Sequence, residues 1–402
     1  MDRSKWEYKR LGDCFAYIKN GANIKQVNGA TGIPITRIET LSNDVFNRDR
    51  MGYANIDDVT TYSSNILNDG DILMSHINSM KFLGRAVEYK KIDEEVIIHG
   101  MNLLRMIPTS NFLSSYAVYQ FKTDHFRKQV KAISHQAVNQ ASFNVTNLKG
   151  LNLIVPPISD QQRIVAELDC LNEMIALKQG QLKEFDKLAQ SIFYDMFGDP
   201  SVMSEDNMNN VCETITDFVA AGSFASLREN VVYESLPSFA QLVRTVDLKS
   251  NFIKGNYVYV NESAFNFLWR VNLNKESIIL PNVGVNCGEV YYIHPSMLPF
   301  KNNVLGPNAI LVRSNTHNHI YLAYYFMSQD FQIQIKKITN AVGQPKFNKT
   351  ELKKLRVLLP PLALQQQFAE KIQAIEAQKE LVKQSIAETQ QLLDSRMDYY
   401  FD

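Results

Sequence analysis

Apolar residues recur at intervals of three and four along residues 159–198, directly after the proline pair Pro156-Pro157. These intervals place the apolar side chains on one stripe of an α-helix, close to a heptad seam. Ser159 followed by Gln162 is typical of a helix start. The pattern therefore predicts a helix about 55 Å long, and its apolar stripe requires a packing partner.

Residues 341–402 repeat residues 137–198 at a constant offset of 204 positions. Pro360-Pro361 repeats the proline pair, and Gln365-Gln366 repeats Gln161-Gln162. Because the repeat needs no gap, we predict a second helix of equal length that packs against the first. Two unrelated amphipathic helices are the alternative, which the ungapped register argues against. The residues predicted to pack between the helices are Leu168, Leu171, Ile175, Leu182, Leu188, Ile372, Ile375, Ile386, Leu392 and Met397.

The segments before the two helices are predicted to form mixed modules. In the first, short apolar runs bounded by Gly, Asn and Asp predict strands of a twisted sheet or open barrel. Helical spacing of aromatic residues predicts one helix over 112–131. Residues 208–357 repeat this plan more loosely, with 339–348 standing where 134–144 stood. The runs predicted as strands are 33–38, 71–76, 83–89, 96–98 and 101–107.

The sequence thus predicts an α+β protein with a pseudo-two-fold internal repeat. Two globular mixed α/β modules are separated by an antiparallel pair of long helices. The antiparallel direction follows from the short linker 199–207, which forces a pairing second helix to run back along the first. The helix copies match more closely than the modules, which favours one shared role for the helices and two different roles for the modules. The predicted boundaries are 1–155, 156–200, 201–357 and 358–402.

Charge divides along the same boundaries, although the net charge is zero. The modules are basic, by +4 and +3, and the helical segments are acidic, by −4 and −3. Basic modules fit contacts to a polyanion at two separate places, although helices often carry Glu for other reasons. The absence of an eighteen-residue apolar run, of a signal peptide and of paired cysteines predicts a cytoplasmic protein without a metal site.

Recognisable catalytic motifs are missing from the chain. We find no glycine-rich phosphate loop and no His-Glu-x-x-His motif. Both proline pairs lack the preceding Asn or Asp of base-modifying methyltransferases, since Val155 and Leu359 stand there. Nothing in the spacing of Ser and His favours a triad. The sequence therefore indicates a recognition subunit with no catalytic residues of its own.

Three segments resemble the specificity subunit of type I restriction–modification systems, and the resemblance spans nearly the whole chain. They are LKGLNLIVPPISDQQRIV (148–165), LKKLRVLLPPLALQQQFA (352–369) and GDILMS (70–75). One departure is the Gln-Gln pair where the family usually has Glu-Gln.

The resemblance implies that the modules are target recognition domains, each reading one half of a split site in double-stranded DNA. The helix pair would act as spacer and as the dock for two methyltransferase subunits. A motor-nuclease subunit would join for cleavage. S-adenosylmethionine would be carried by the methyltransferase partner, so no cofactor is expected in this chain.

Phosphate contacts are expected from Lys and Arg, and base contacts from Asn, Gln, Arg, Ser and His. The alternative for Asn and Gln is that they satisfy the loop backbone. That alternative fits Asn144 and Asn348 best, because both copies share them. The candidates are Arg37, His76, Asn78, Lys81, Arg85, His135, Gln136, Asn139 and Gln140 in the first module, and Arg244, Asn282, Asn286, Asn340, Gln344, Lys346 and Asn348 in the second.

Two other functions remain open at this point. The chain could be a single-chain DNA methyltransferase or nuclease with an unfamiliar site. It could also be a scaffold whose two modules bind proteins.

Overall fold

The structure is a computed structural model that describes residues 3–27, 32–56, 58–138, 140–199, 203–253, 255–340 and 343–402. Its contacts divide the chain into two compact units. Unit 1 comprises Met1–Gly180 and Lys383–Asp402, and unit 2 comprises Gln181–Val382. Each unit therefore holds one module and a part of each long helix.

The two long helices span Ile158–Phe197 and Leu362–Phe401, forty residues each. The first begins one residue earlier than predicted. The Pro157 carbonyl accepts hydrogen bonds from the amides of Asp160 (2.9 Å) and Gln161 (3.1 Å). The prediction of Ser159 as the cap was wrong, because Ser159 already lies within the first turn.

In unit 1 the helices run antiparallel. Arg396 forms an ion pair with Glu167, and the Tyr400 hydroxyl donates to the same carboxylate at 2.5 Å. Further along, Lys178 Nζ donates to the Ser385 hydroxyl at 2.7 Å. Residue numbers rise along one helix where they fall along the other, which defines the direction.

Unit 2 shows the same direction with its own residues. Lys379 Nζ lies 2.8 Å from the Asp186 carboxylate. The ring centroids of Phe193 and Phe197 lie 5.6 Å and 5.4 Å from that of Phe368. In this unit, too, the later residues of the first helix meet the earlier residues of the second.

The predicted helix seam needs one correction. Leu188 and Leu392 are 47% and 51% exposed, whereas the neighbouring Ala189 and Leu393 are buried. Counting in sevens from Leu168 gives position 189, so the heptad spacing and not side-chain size decides which residue packs. The other eight predicted positions are buried or half-buried.

The module of unit 1 is built on an open antiparallel sheet. In the described residues its strand order is Ala86–Glu88, Ile72–Ser75, Leu103–Pro108 and Phe15–Asn20. Three of these four strands overlap predicted runs, while 96–98 forms only isolated bridges at Ile98. The other strands are Glu7–Arg10, Gln26–Val27, Ile33–Ile35, Leu41–Ser42, Val45–Phe46, Gly52–Ala54, Ile77–Asn78, His135–Gln136, Ala141–Ser142 and Asn152–Val155, and the short helices are Leu11–Cys14 and Val145–Lys149.

The helix predicted over 112–131 is two helices, Ser114–Lys122 and Asp124–Ile133. Thr123 between them is extended (φ −69°, ψ 151°), and its side chain accepts a hydrogen bond from the Phe126 amide at 3.2 Å. The prediction failed because the apolar period continues across the break. The bend lets Phe121 and Phe126 pack with ring centroids 4.6 Å apart.

Unit 2 repeats this architecture. Its sheet order is Thr214–Asp217, Ala309–Arg313, Ser277–Pro281 and Tyr291–Ile293. Two helices, His319–Met327 and Gln329–Ile338, again break at a hydroxyl residue, Ser328. The other strands are Ser204–Asn207, Ala240–Val243, Val258–Val260, Asn303–Leu305 and Arg356–Leu359, and the other helices are Met208–Val211, Phe224–Asn230, Thr245–Lys249, Glu262–Phe267 and Lys349–Leu352.

None of the helices in the described ranges combines the length and the apolar character that crossing a membrane requires.

Candidate nucleic-acid interface

A small sheet in unit 1 gathers many of the predicted DNA-binding residues. Its strands are His135–Gln136, Ala141–Ser142 and Ile77–Asn78, with Ala141 as the pairing partner of both Gln136 and Asn78. His135, Gln136 and Gln140 are exposed, and Asn78 is half-buried. We call the segment 134–144 with Ile77–Asn78 the reading sheet of unit 1. Its tip carries Val138, which is 97% exposed, and Asn139 lies outside the described residues.

His76 supports the reading sheet from beneath. Its side chain is buried, and its Nε2 atom lies 2.9 Å from the Asn20 amide nitrogen. Since Asn20 donates there, the neutral ring carries its proton on Nδ1. The carbonyl of His76 accepts from the Phe143 amide at 3.2 Å. Burial lowers the pKa of His76, which favours the neutral ring. The hydrogen bond with the loop is made by the backbone carbonyl and not by the ring.

The basic candidates of unit 1 differ in whether they already bind other side chains of the protein. Arg85 forms an ion pair with Asp44 at 2.9 Å, and Arg37 Nε donates to the Gln26 side chain. Lys81 is exposed, and no ion pair of Lys81 appears within the described ranges. Lys81 is therefore the most available of the three for an external anion.

Unit 2 contains the same framework. Bridges join Lys346 to Asn340 and to Val283, as Ser142 is joined to His135 and Ala141 to Asn78 in unit 1. The Phe347 amide donates to the Asn282 carbonyl at 3.1 Å, which repeats the contact of Phe143 with His76. We call residues 339–340 and 343–348 with Val283 the reading sheet of unit 2; residues 341–342 lie outside the described residues. Its exposed side chains include Asn340, Gln344 and Lys346.

The remaining candidates of unit 2 make internal contacts. Arg244 binds Asp247 at 2.8 Å, and Asn286 accepts from Lys249 Nζ at 2.6 Å. Asn348 accepts from the Glu351 amide at 2.9 Å and so caps the helix Lys349–Leu352. Asn282 donates its side-chain amide to the Phe347 carbonyl at 3.1 Å.

Sequence reasoning missed a basic cleft beside the reading sheet of unit 1. The cleft has a volume of about 310 Å³ and lies between the turn Met80–Phe82 and the helix Asp124–Ile133. Arg127, Lys128 and Lys131 of that helix line it together with Lys81. Their spacing of one, three and four on a predicted helix is the signal that would have identified them.

The proline–glutamine segments have a structural role. Gln161 is fully buried; its Oε1 accepts from the Leu113 amide at 2.9 Å, and its Nε2 donates to the carbonyls of Asn111 (2.9 Å) and Pro156 (2.8 Å). Gln365 makes the matching contacts in unit 2. A glutamine at this position both donates and accepts, which an ionised Glu could not do.

The family of type I restriction modification DNA specificity domains matches residues 3–186 and 239–391, which is more than half of the chain. The chain belongs to this family. The resemblance drawn from the three sequence segments is thereby confirmed, and the protein is a specificity subunit of a type I restriction–modification system. Such a subunit recognises DNA and is not the catalytic component, so neither alternative function is favoured.

Named relatives and solved structures agree with this assignment. The chain is 27% identical to a Methanocaldococcus jannaschii protein named as the type I restriction enzyme MjaX specificity subunit, over 92% of this chain and 87% of the relative. It is 22% identical to the MjaIX specificity subunit of the same organism, over 72% and 68%.

Two solved structures share the fold. The M. genitalium S subunit is 12% identical with a TM-score of 0.52, and the match covers 99% of this chain and 96% of that one. A chain from a study of complex assembly in the type I system is 14% identical with a TM-score of 0.58, covering 99% and 98%. At these identities the likeness supports the fold alone.

Proposed function

We propose that each unit reads one half of a split DNA site through its reading sheet. One observation carries this proposal: the two units share the hydrogen-bonded framework of the reading sheet but display different side chains on it. The residues differ at three matched pairs of positions, His135 and Thr339, Gln136 and Asn340, and Ser142 and Lys346, whereas Gln140 and Gln344 are the same residue. Two unlike surfaces on one framework are what recognition of two unlike half-sites requires.

The exposed side chains have the chemistry of base recognition. Gln and Asn present a donor and an acceptor together, as adenine does in the major groove, and Lys suits the two acceptors of guanine. Asn78 and Asn282 lie close to these groups but already make internal hydrogen bonds. We therefore assign base reading first to the exposed residues, and support of the surface to the half-buried ones.

We further propose that the long helices set the number of base pairs between the two half-sites. Half-sites on one face of a duplex are about 34 Å apart, a distance that a forty-residue helix, about 60 Å long, exceeds. Deleting four residues at matched positions of both helices would shorten each by about 6 Å. The expected result is a gap shorter by about two base pairs, with both half-sites unchanged.

The outer faces of the helices are proposed to dock methyltransferase subunits. Leu177 and Leu392 are exposed in unit 1, and Leu381 and Leu188 are exposed in unit 2. These are the same two positions at the repeat offset, and exposed apolar side chains favour protein contact. Two equivalent docks fit two methyltransferase subunits carrying S-adenosylmethionine, with a motor-nuclease subunit joining for cleavage in the cytoplasm.

Selection from random DNA duplexes tests the proposed function. The full chain, with and without a methyltransferase subunit, is expected to enrich two short motifs separated by a fixed unspecified gap. Enrichment of a single continuous motif, or of none, would contradict it. Methyl transfer from S-adenosylmethionine by the chain alone would instead support the catalytic alternative.

A further inference from the structure

We propose that the basic cleft of unit 1 binds backbone phosphates of the DNA duplex, and that unit 1 therefore supplies more of the salt-dependent binding than unit 2. This inference rests on the proposed function and adds to it a second surface beside the reading sheet. It assigns a role to Arg127, Lys128 and Lys131, which lie outside the reading sheet.

Four cations converge on the cleft. Lys81, Arg127, Lys128 and Lys131 are all exposed, and none of them forms an ion pair with another residue of the described ranges. Asp124 is the acidic side chain in the lining. The excess positive charge is thus available to an external anion.

The clustering has an energetic cost in the free protein. Arg127 and Lys131 are four residues apart on one helix, and Lys128 and Lys131 are three apart. Like charges at these spacings repel each other and destabilise a helix. A bound polyanion removes that repulsion, and phosphate contacts from Lys and Arg supply most of the sequence-independent part of DNA binding.

The cleft continues the reading sheet. Met80, in its lining, accepts a hydrogen bond from the Ser134 hydroxyl at 3.8 Å through its sulfur. Ser134 immediately precedes His135, and Lys81 follows Asn78 by three residues. A duplex whose base edges meet His135 therefore has its backbone within reach of the cleft.

The corresponding cleft of unit 2 has less of this positive charge. A glycine with positive φ lies at each cleft: Gly288 lines the cleft of unit 2, and Gly84 follows Leu83, which lines the cleft of unit 1. In each case a Cβ would lie 3.1 Å from a helix side chain, that of Val130 for Gly84 and that of Ile335 for Gly288. At the places of Arg127 and Lys128, unit 2 has Gln332 and Ile333, whereas Lys131 is matched by the exposed Lys336.

The lysine that lines the cleft of unit 2 is already paired. Lys249 Nζ lies 2.8 Å from the Glu289 carboxylate. Counting back from the glycine, Val285 stands where Lys81 stands, and it is 95% exposed. The framework is shared, and three of the four cations, Lys81, Arg127 and Lys128, are specific to unit 1.

The test is the salt dependence of duplex binding by the full chain. We compare wild type with two double variants, Lys81→Gln/Lys131→Gln and Arg127→Gln/Lys128→Gln. Binding to the selected duplex and to unrelated duplexes is measured between about 50 and 300 mM salt, a range in which counterion release is readily measured. Log K falls as log salt rises. Removing a cation that holds a phosphate should make this negative slope shallower by about 1. The matched control, Lys249→Gln in unit 2, should leave the slope unchanged.

A gain of function sharpens the test. Ile333→Lys places a cation next to Gln332 of the unit 2 cleft, at the position that matches Lys128, and should make the negative slope steeper by up to about 1. The unit 1 variants should lose affinity by the same factor on selected and unrelated duplexes, with the selected motif unchanged.

The outcomes separate this inference from the proposed function. Unchanged slopes in both unit 1 variants, with the two-part motif still selected, would overturn the phosphate assignment and leave the proposed function standing. A changed motif would mean that the cations read bases, and would also overturn it. If wild type selected no duplex, the phosphate assignment and the proposed function would both be contradicted. Far-ultraviolet circular dichroism and melting of each variant establish that the exposed substitutions leave the fold intact.

Discussion

Unit 1 and unit 2 agree in their interiors and differ on the surface that we propose meets DNA. In unit 1 the Gln129 side chain bridges the backbone of Asn152, donating to its carbonyl at 3.1 Å and accepting from its amide at 2.9 Å. In unit 2, Gln334 bridges Arg356 in the same way, at 3.2 Å and 2.9 Å. Such bridges fix the backbone without depending on what the surface recognises.

The difference lies in side chains that leave this framework unchanged. His76 occupies in unit 1 the place of Asn282 in unit 2, and each carbonyl holds the following loop by the same hydrogen bond. The cleft beside the loop is cationic in one unit and contains a closed ion pair in the other. The comparison teaches that the backbone can be kept while the recognition chemistry changes.

The largest expected effect tests the shared interior. Gln161→Ala removes the partner of one amide and two carbonyls, and each buried unsatisfied group costs about 1 to 3 kcal/mol. We expect the free energy of unfolding of unit 1 to fall by about 3 to 5 kcal/mol. Gln365→Ala should have a similar effect on unit 2, and urea unfolding measures both.

The exposed neighbour is the control for this prediction. Gln162→Ala should change the unfolding free energy by less than about 0.5 kcal/mol. Equal effects of Gln161→Ala and Gln162→Ala would mean that the hydrogen bonds of the buried Gln161 side chain do not hold the long helix to residues 111–113.

The second-largest expected effect is a difference between the two units in how their unfolding free energy changes at acid pH. His99 of unit 1 is fully buried, and burial lowers its pKa from 6.5 to about 4. Unit 2 has buried Leu305 at the corresponding position, one residue before the matching glycine. The unfolded state binds a proton more readily than the folded state, so the stability linked to His99 is complete above pH 6.5 and is lost as the pH falls toward 4.

The variant His99→Leu gives unit 1 the residue of unit 2. Between pH 7 and pH 5, wild type should lose about 2 kcal/mol more of its unfolding free energy than the variant. Urea unfolding at the two pH values measures this difference. Parallel pH profiles of wild type and variant would contradict the account of His99.

A smaller effect should be common to both units. Gly84 and Gly288 have φ of +77° and +91°, where a side chain is strained, and each packs against a helix. Gly84→Ala and Gly288→Ala should each lower the unfolding free energy by about 1 to 2 kcal/mol. Gly180→Ala, with nothing within 4 Å of the new Cβ, should instead raise it by about 0.5 to 1 kcal/mol. A large decrease for only one of the first two would show that the clefts are not equivalent.

The long helices could be predicted to within one residue because a 3.6-residue period and a proline pair are strong local signals. The break at Thr123 could not, because the apolar period of the two short helices runs through it. We predicted that Leu188 packs between the helices because its apolar side chain is larger than that of Ala189. The register between the two helices decides which residue packs, and that register is set by the partner helix.

The candidate site divides in the same way. Polar residues between predicted strands, including His135 and Gln344, were chosen as DNA-binding candidates, and the structure places these two in the segments that we call the reading sheets. The ion pair of Arg85 with Asp44 joins residues that only the fold brings close. The partner of Arg244, Asp247, lies three residues away and was visible in the sequence. Arg127 and Lys128 were missed because basic residues on a helix read as an ordinary solvated face until the cleft beside them is known.

The most direct test of the central claim is selection with a unit 1 variant, His135→Ala/Gln136→Ala/Gln140→Ala. The account predicts that one half of the selected motif becomes less selective for its bases, by about 1 to 3 kcal/mol for each hydrogen-bonding pair that the substitutions remove. The other half and the gap should stay as in wild type. Altered preference in both halves, or in neither, would contradict the claim that each unit reads its own half-site.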